Sequence, residues 1–413
     1  MGYTLTQKIL AKKSGREEAL QGEVIWAQPD LISRYDGPTL NADVDVRIDP
    51  DRIALAIDHE FMPKSEGAAK AHRAMREIAR KYNIKHFYDI GRTGIQFQLL
   101  AEKGLIRPGM LIVDLDPHVS TYGAFGTYSI GVSKDYVQAY RTGEVWLKVP
   151  QTLRVNVTGN FGDGVTSRDL FEEIIGDIGP GGALGQVVQY TGPTVAQMSV
   201  ESRMVLCNLV QFLSAETAII EPDQKIHDYV KVRTDKPYET LESDIDAEYA
   251  RVLDYDVSEL EPMVVTPPDM YHVKTINEVA GIEIDQAFLG TCASGRMEDL
   301  RLAARILKGK QVHPRVRFVI VPITPQIHRE AAREGLTDIF WEAGALVGPP
   351  GCGPCTERRG YGWLLPGERC ISTGTLNIPG RMGSPKAEIY IGNPATVAAS
   401  AVTGRITDPR KLL

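Results

Sequence analysis

Five cysteines occur in the 413 residues, and three of them stand where they could bind a metal. Cys352 and Cys355 are two residues apart in the turn Gly351-Cys352-Gly353-Pro354-Cys355. Cys292 lies 60 positions upstream of Cys352 in a second turn, Thr291-Cys292-Ala293-Ser294-Gly295. Glycine and proline shape tight turns and let backbone approach a bulky centre. Three thiolates converging from two loops would leave one coordination position to a ligand from outside the protein. Tetrahedral zinc held by three thiolates and water is one such centre. A [4Fe-4S] cluster with one iron lacking a protein thiolate is the preferred one, because cysteine thiolates are the standard ligands of such clusters. Taken alone, a Cys-x-x-Cys pair also suits a redox couple or two unrelated cysteines. Cys207 and Cys370 lie in apolar sequence and read as inert buried thiols.

Other chemistry-bearing residues sit at the ends of short apolar runs. Asp58-His59 follows "IALAI", and Asp116, His118, Ser120 and Thr121 occupy a polar turn after "MLIVDL". Arg381, between Gly380 and Met382, suits a fork for a carboxylate. In isolation these would be a surface turn and a surface charge.

The intervening elements read as strand, polar turn and helix in alternation, which predicts α/β layers with parallel strands. Ligand-facing groups then belong in the turns after the strands. A helix is expected over 1-24, another over 66-82, a strand at 84-90, a helix at 93-104 and a strand from 110. Glycines 123 and 126 are expected to lead into a helix. The domains predicted are 1-143, 144-266 and 267-413, the last carrying the cysteines. The segment "VVTPPDMYHVKTINEVAG", broken by Pro267 and Pro268, reads as a linker. The polar run 223-262 reads as a solvated face. Glycines 179, 181, 182 and 185 lack the spacing of either common nucleotide loop.

Composition narrows the classes. Hydrophobic residues make up 43% and charged residues 24%, as in globular proteins. A net charge of -7 gives no general attraction to nucleic acid or anionic membrane. There is no secretory signal pattern and no 18-residue apolar run. Cysteines placed as ligands rather than in a disulfide framework suggest a reducing cytoplasm.

Taken together, "GTCASGRMEDL" at 290-300, "GCGPC" at 351-355, "GRMG" at 380-383, Asp58-His59, "GAFG" at 123-126 and "WLKVP" at 146-150 resemble the large subunit of the aconitase superfamily. The branch resembled is that of 3-isopropylmalate dehydratase and homoaconitase, and the likeness runs from about residue 20 to the C-terminus. It implies three α/β/α domains around a [4Fe-4S] cluster, without the swivelling domain. It implies a hydro-lyase acting on a 2- or 3-hydroxy carboxylic acid. A separate small subunit, in a heterodimer or heterotetramer, would complete the site. By the same resemblance Cys292, Cys352 and Cys355 are the cluster ligands, and Asp58, His59, Asp116 and His118 are catalytic. Gln189, Ser294, Arg296, Asn377 and Arg381 are then expected to contact substrate. No nucleic acid or membrane partner is implied.

The chain departs from the family pattern near that site. Phe97 replaces the histidine of "GICH", and "DSHT" becomes Asp116-Pro117-His118-Val119. Gln189 stands for a glutamate expected to partner His118, leaving that partner neutral. "NRNF" becomes Thr375-Leu376-Asn377-Ile378, which removes a cationic contact. The replacements suggest an altered pocket for a smaller or less charged acid, such as a methylmalate or dimethylmalate. A cluster-binding subunit without turnover is the reading from a different class.

Overall fold

The computed structural model describes residues 2–36, 45–60, 62–133, 135–355 and 361–413. A short strand, β1 (Val24–Ala27), precedes the first parallel sheet. That sheet contains β2 (Leu31–Tyr35), β3 (Ile53–Ala56), β4 (His86–Tyr88), β5 (Leu111–Asp114) and β6 (Tyr128–Gly131). Its order is β4-β3-β2-β5-β6, so the chain builds outward from β2 on one side and then crosses to the other. β7 (Val145–Lys148) pairs antiparallel with β1.

A second parallel sheet holds β8 (Gln151–Thr158), β9 (Gln186–Thr191), β10 (Thr217–Ile220) and β11 (Arg251–Asp256), in the order β10-β9-β8-β11. The third sheet follows as β12 (Met263–Val265), β13 (Val273–Thr275), β14 (Gln286–Leu289), β15 (Arg317–Ile320), β16 (Leu346–Val347), β17 (Arg369–Ser372) and β18 (Glu388–Gly392). Its order is β13-β12-β18-β17-β14-β15-β16, parallel from β18 to β16 with β12 and β13 antiparallel at one edge.

Helices cover both faces of these sheets, so central strands read as unbroken apolar runs. β3, β5 and β14 are buried at every position. In the first sheet Leu31, Ala54 and Ile112 pack into one apolar cluster, with Phe97 and Leu100 of the helix Gln96–Glu102. Their neighbours Ile32, Ile53 and Leu111 pack into the other, with Met75 and Ile78 of Glu66–Lys81. Each such side chain contributes about 1.5–3 kcal/mol on burial.

Several expectations change on contact with the structure. The glycines at 123 and 126 close a helical run, Pro117–Phe125, instead of opening one. Gly126 adopts a left-handed φ of 69°, which stops the run and turns the chain into β6. The linker expected from Pro267 and Pro268 is a hairpin, β12 paired with β13 and with β18, so it belongs to the third sheet. The first helix is Leu5–Lys13, capped by Thr4 and Gln7 and ended before Gly15. The polar run 223-262 contains the helix Gln224–Lys231 and β11. Part of it is an arm laid over the N-terminal helix, where Leu5 donates its backbone N–H to Ser243 Oγ at 3.0 Å and Lys8 pairs with Asp244. Among the described residues no helix is long and apolar enough to cross a membrane.

Candidate active site

In a parallel sheet the crevice for a ligand opens beyond the strand C-termini where the strand order reverses. The first sheet reverses between β2 and β5, and the third between β14 and β17. The turns after these strands meet at a cavity of about 260 Å³. It is lined by Asp58, His59, Asp116 and His118 from the first sheet. Cys292, Cys352, Cys355, Thr375, Leu376 and Arg381 line it from the third, and Tyr35, Ile95 and Phe97 add apolar wall.

Asp36, one residue beyond β2, organises the carboxylate side. Its Oδ1 accepts the backbone N–H of Asp58 at 3.0 Å and of His59 at 2.9 Å, and its Oδ2 that of Glu60 at 2.9 Å. His72 Nε2 lies 3.2 Å from Oδ2. Burial opposes the charge on Asp36, but His72, the nearby His59 and the backbone donors hold it well below the usual carboxylate range. With the turn so fixed, His59 Nδ1 sits 2.7 Å from Asp58 Oδ1, and Nε2 faces Asp116 Oδ2 at 3.8 Å. Burial disfavours a charged imidazole, yet Asp58, Asp36 and Asp116 together raise its pKa to about 10. Burial likewise raises Asp58, against the pull of His59.

The second pair repeats the motif. His118 Nδ1 lies 2.9 Å from Asp116 Oδ1, which also accepts the His118 backbone N–H at 2.8 Å. Against burial, His118 and His59 lower the Asp116 carboxyl to about 2. Behind it Asp114, hydrogen-bonded to Ser33, is pushed up to about 8 by burial. His118 Nε2 is buried and has no partner among the described residues.

The thiol side is held by backbone and short hydroxyl side chains. Cys352 donates its N–H to the Asp58 carbonyl at 3.4 Å, which docks the cysteine turn on the histidine turn. Gly353 has φ 57°, and a Cβ there would come within 3.0 Å of Val321 Cγ2, so this turn needs glycine. Thr291, before Cys292, takes a φ of 84°, rare for a β-branched residue. Its hydroxyl donates to the Thr373 carbonyl at 3.3 Å, and Thr373 Oγ1 donates back to the Gly290 carbonyl at 3.0 Å. Burial raises the thiols of Cys292 and Cys352, and neighbouring carboxylates push the same way. Cys355 goes the other way, because Arg381 Nη2 lies 3.5 Å from its Sγ and outweighs burial.

Of the residues singled out in the sequence, Asp58, His59, Asp116, His118, the three cysteines and Arg381 come together here. Four others do not line the cavity. Gln189 donates through Nε2 to Glu221 Oε1 at 3.1 Å and Ser243 Oγ at 3.0 Å, which ties the arm to the second sheet. It makes no hydrogen bond to His118, whose partner is the charged Asp116, so the expectation of a neutral partner is corrected. Arg296 is fully buried, with Nη2 on the Cys292 carbonyl at 2.9 Å and Nε on Gln98 Oε1 at 3.1 Å. Ser294 is buried inside the Cys292 turn, where its N–H donates to the Thr291 carbonyl at 3.2 Å. Asn377 donates to the carbonyls of Thr266 and Asp269, both at 3.0 Å, and pins the Arg381 loop to the β12-β13 hairpin.

Sequence reasoning missed Asp36 and Asn208. Asn208 Nδ2 donates to Thr121 Oγ1 at 2.8 Å, its Oδ1 lies 3.6 Å from Cys292 Sγ, and Thr121 Oγ1 donates to the His118 carbonyl at 2.6 Å. One side chain thus links the two halves of the site. Asp36 ends the strand "LISRYD", a signal of the same kind as Asp58; Asn208 sits inside an apolar helix and gives none.

Asp36, Asp58 and His59 form a compact group able to hold a metal ion, with ligand atoms within 4.8 Å of one another. Those atoms are already hydrogen-bonded to one another and to backbone. The three cysteine sulfurs form no group that tight.

The chain as a whole has relatives among known proteins. The sequence pattern of the Aconitase family (aconitate hydratase) matches residues 33–404, and the chain belongs to that family. Within it, the chain is similar to 3-isopropylmalate dehydratase large subunits. It is 41% identical over 421 residues to large subunit 1 of Methanopyrus kandleri, covering 100% of both chains. It is 43% identical over 422 residues to large subunit 1 of Pyrococcus furiosus, covering 100% of this chain and 99% of that one. The Heliobacterium modesticaldum large subunit is 42% identical over 420 residues, with both chains covered fully. The crystal structure of Thermococcus kodakaraensis aconitase X, at 10% identity, aligns with a TM-score of 0.47 over 85% of this chain and 84% of that one.

Proposed function

We propose that this chain is the large subunit of a [4Fe-4S]-dependent hydro-lyase that adds or removes water on a 2- or 3-hydroxy carboxylic acid, 3-isopropylmalate dehydratase-like with an altered pocket. The observation that carries this is the meeting of three thiols, two carboxylate–imidazole pairs and an arginine at one cavity. Cys292, Cys352 and Cys355 would hold the cluster. When bound, the cluster supplies a Lewis-acidic iron for a hydroxyl and a carboxylate. The buried thiols must give up their protons to bind it, and Arg381 eases this at Cys355.

The chain's own groups then divide the work. His59, kept protonated by three carboxylates, holds a proton beside the hydroxyl that leaves, with Asp58 fixing its ring through Nδ1. His118 Nε2 is free to donate to or accept from the substrate, while Asp116 fixes its other nitrogen. Arg381 offers a guanidinium to a carboxylate. Phe97 and Leu376 line the cavity without charge, and this favours a smaller acid such as a methylmalate or dimethylmalate as a second reading. Three α/β units, near 1-143, 144-266 and 267-413, a small-subunit partner and a cytoplasmic setting complete the proposal.

The test is anaerobic purification with a small subunit co-expressed, followed by iron and sulfide analysis and EPR with candidate hydroxy acids. About four irons per chain and a signal changed by one acid are expected. An intact cluster that no acid disturbs would replace the enzyme by a non-catalytic cluster-binding subunit. Zinc in place of iron would sink the mechanism.

A further inference from the structure

A second cavity, of about 480 Å³, opens at the other end of the first sheet, where β2 and β5 begin. It is lined mainly by charged and polar groups, five of them cationic and three acidic. The charges do not cancel in place. Lys13 pairs with Asp30 at 2.8 Å, Lys12 pairs with Glu239, and Asp51 is taken by Lys85 at 3.0 Å. Asp49 is engaged as the cap of the short helical turn Pro50–Arg52, accepting the Asp51 N–H at 2.9 Å. Arg52, Arg107 and Lys236 remain, and among the described residues none of the three has a carboxylate within ion-pair distance, although Asp30 faces Arg107 and Asp51 faces Lys236. Arg52 donates only to the carbonyls of Pro29 and Gly143. The Arg107 side chain has no hydrogen bond, and its Nε is shielded from solvent without a partner.

A guanidinium nitrogen buried without an acceptor loses its hydration with nothing in exchange, which is costly for a charged group. Three cations around one opening call for an external anion, and the volume falls within the usual range for small-molecule sites. We propose that this cavity binds a small organic dianion, recognised through a phosphate or dicarboxylate head group by Arg107, Arg52 and Lys236. Arg107 supplies the planar, partly desolvated fork and Lys236 a mobile point charge. Arg52 and Arg107 belong to the first sheet's framework, whereas Lys236 belongs to the arm that follows the helix Gln224–Lys231. A bound dianion therefore fastens that arm at a place remote from the cysteine cavity.

Titration calorimetry on the full chain, with inorganic phosphate and with malonate, tests this and distinguishes the two head groups. Binding of at least one is expected, weakening as salt rises. Arg107→Met should weaken it at least tenfold and Lys236→Gln by a smaller factor, while Arg381→Gln, in the cysteine cavity, leaves it unchanged. Lys236 is exposed, so its variant folds whatever Arg107→Met does. Absence of binding at millimolar anion overturns the proposal. So does binding that Lys236→Gln and Arg107→Met leave intact, or binding that Arg381→Gln alone removes.

Discussion

The first and third sheets solve one positioning problem with different chemistry. Both are built outward from a central strand, and both present residues just beyond the strand ends where the order reverses. The first supplies carboxylates and imidazoles, held by side chains that accept backbone N–H groups, with Asp36 taking three. The third supplies thiols on turns held by glycine, threonine, backbone and the buried Arg296, with Arg381 at the cavity wall. Topology decides where chemistry can be placed, and the loop residues decide which chemistry it is.

If the two halves have separate duties, damage to each should leave a different trace. Cys352→Ser on the thiol side should cause the largest loss, removing cluster iron and all turnover, measured by iron and sulfide content. His59→Gln on the carboxylate side should leave iron content unchanged and lower kcat by about 10²–10⁴-fold. A loss of iron in that variant would break the division of labour. Arg381→Gln should act mainly on substrate affinity, raising KM by about 10–100-fold, as expected for a charge-assisted hydrogen bond worth roughly 1.5–3 kcal/mol.

The smallest effect concerns stability. Asp116 is lowered in the fold from 3.8 to about 2, so its contribution is fully present above about pH 4 and is lost as pH falls to about 2. Urea melts at pH 5 and pH 3 should show Asp116→Asn losing roughly 1 kcal/mol less than the parent across that interval. An identical acid limb in both proteins would mean that the His118 and His59 contacts do not hold the charge.

The parallel α/β layers were legible because buried strands read as apolar runs ending in polar turns, as at "IALAI" before Asp58-His59. The cavity-lining cysteines, acids and imidazoles were legible from those turns and from their family pattern. Gln189, Arg296 and Asn377 lie off the cavity wall for a common reason. Each lies near motif residues in sequence, but a side chain's direction depends on long-range partners that no local pattern states. Gln189 is drawn off by Ser243, 54 positions away, and Arg296 by Gln98, 198 positions away. The β12-β13 hairpin was hidden because two consecutive prolines read as a break, and here they lie in the turn between paired strands.

The arm over the N-terminal helix also sets an order of events during synthesis. Gly2 bridges to Ala247, and Tyr3 donates its N–H to Asp244 Oδ2 at 2.8 Å. Leu5, Ile9 and Leu10 of the helix are fully buried. The polar partners of this first segment are therefore made some 240 residues later. At about 5–20 residues per second, the helix's apolar partners Leu111, Val113 and Tyr128 follow it by roughly five to twenty-five seconds, and its polar partners in the arm by roughly ten to fifty. Until the sheet emerges the start of the chain is a natural client for a chaperone, and its polar contacts to the arm are among the last of the first unit to form.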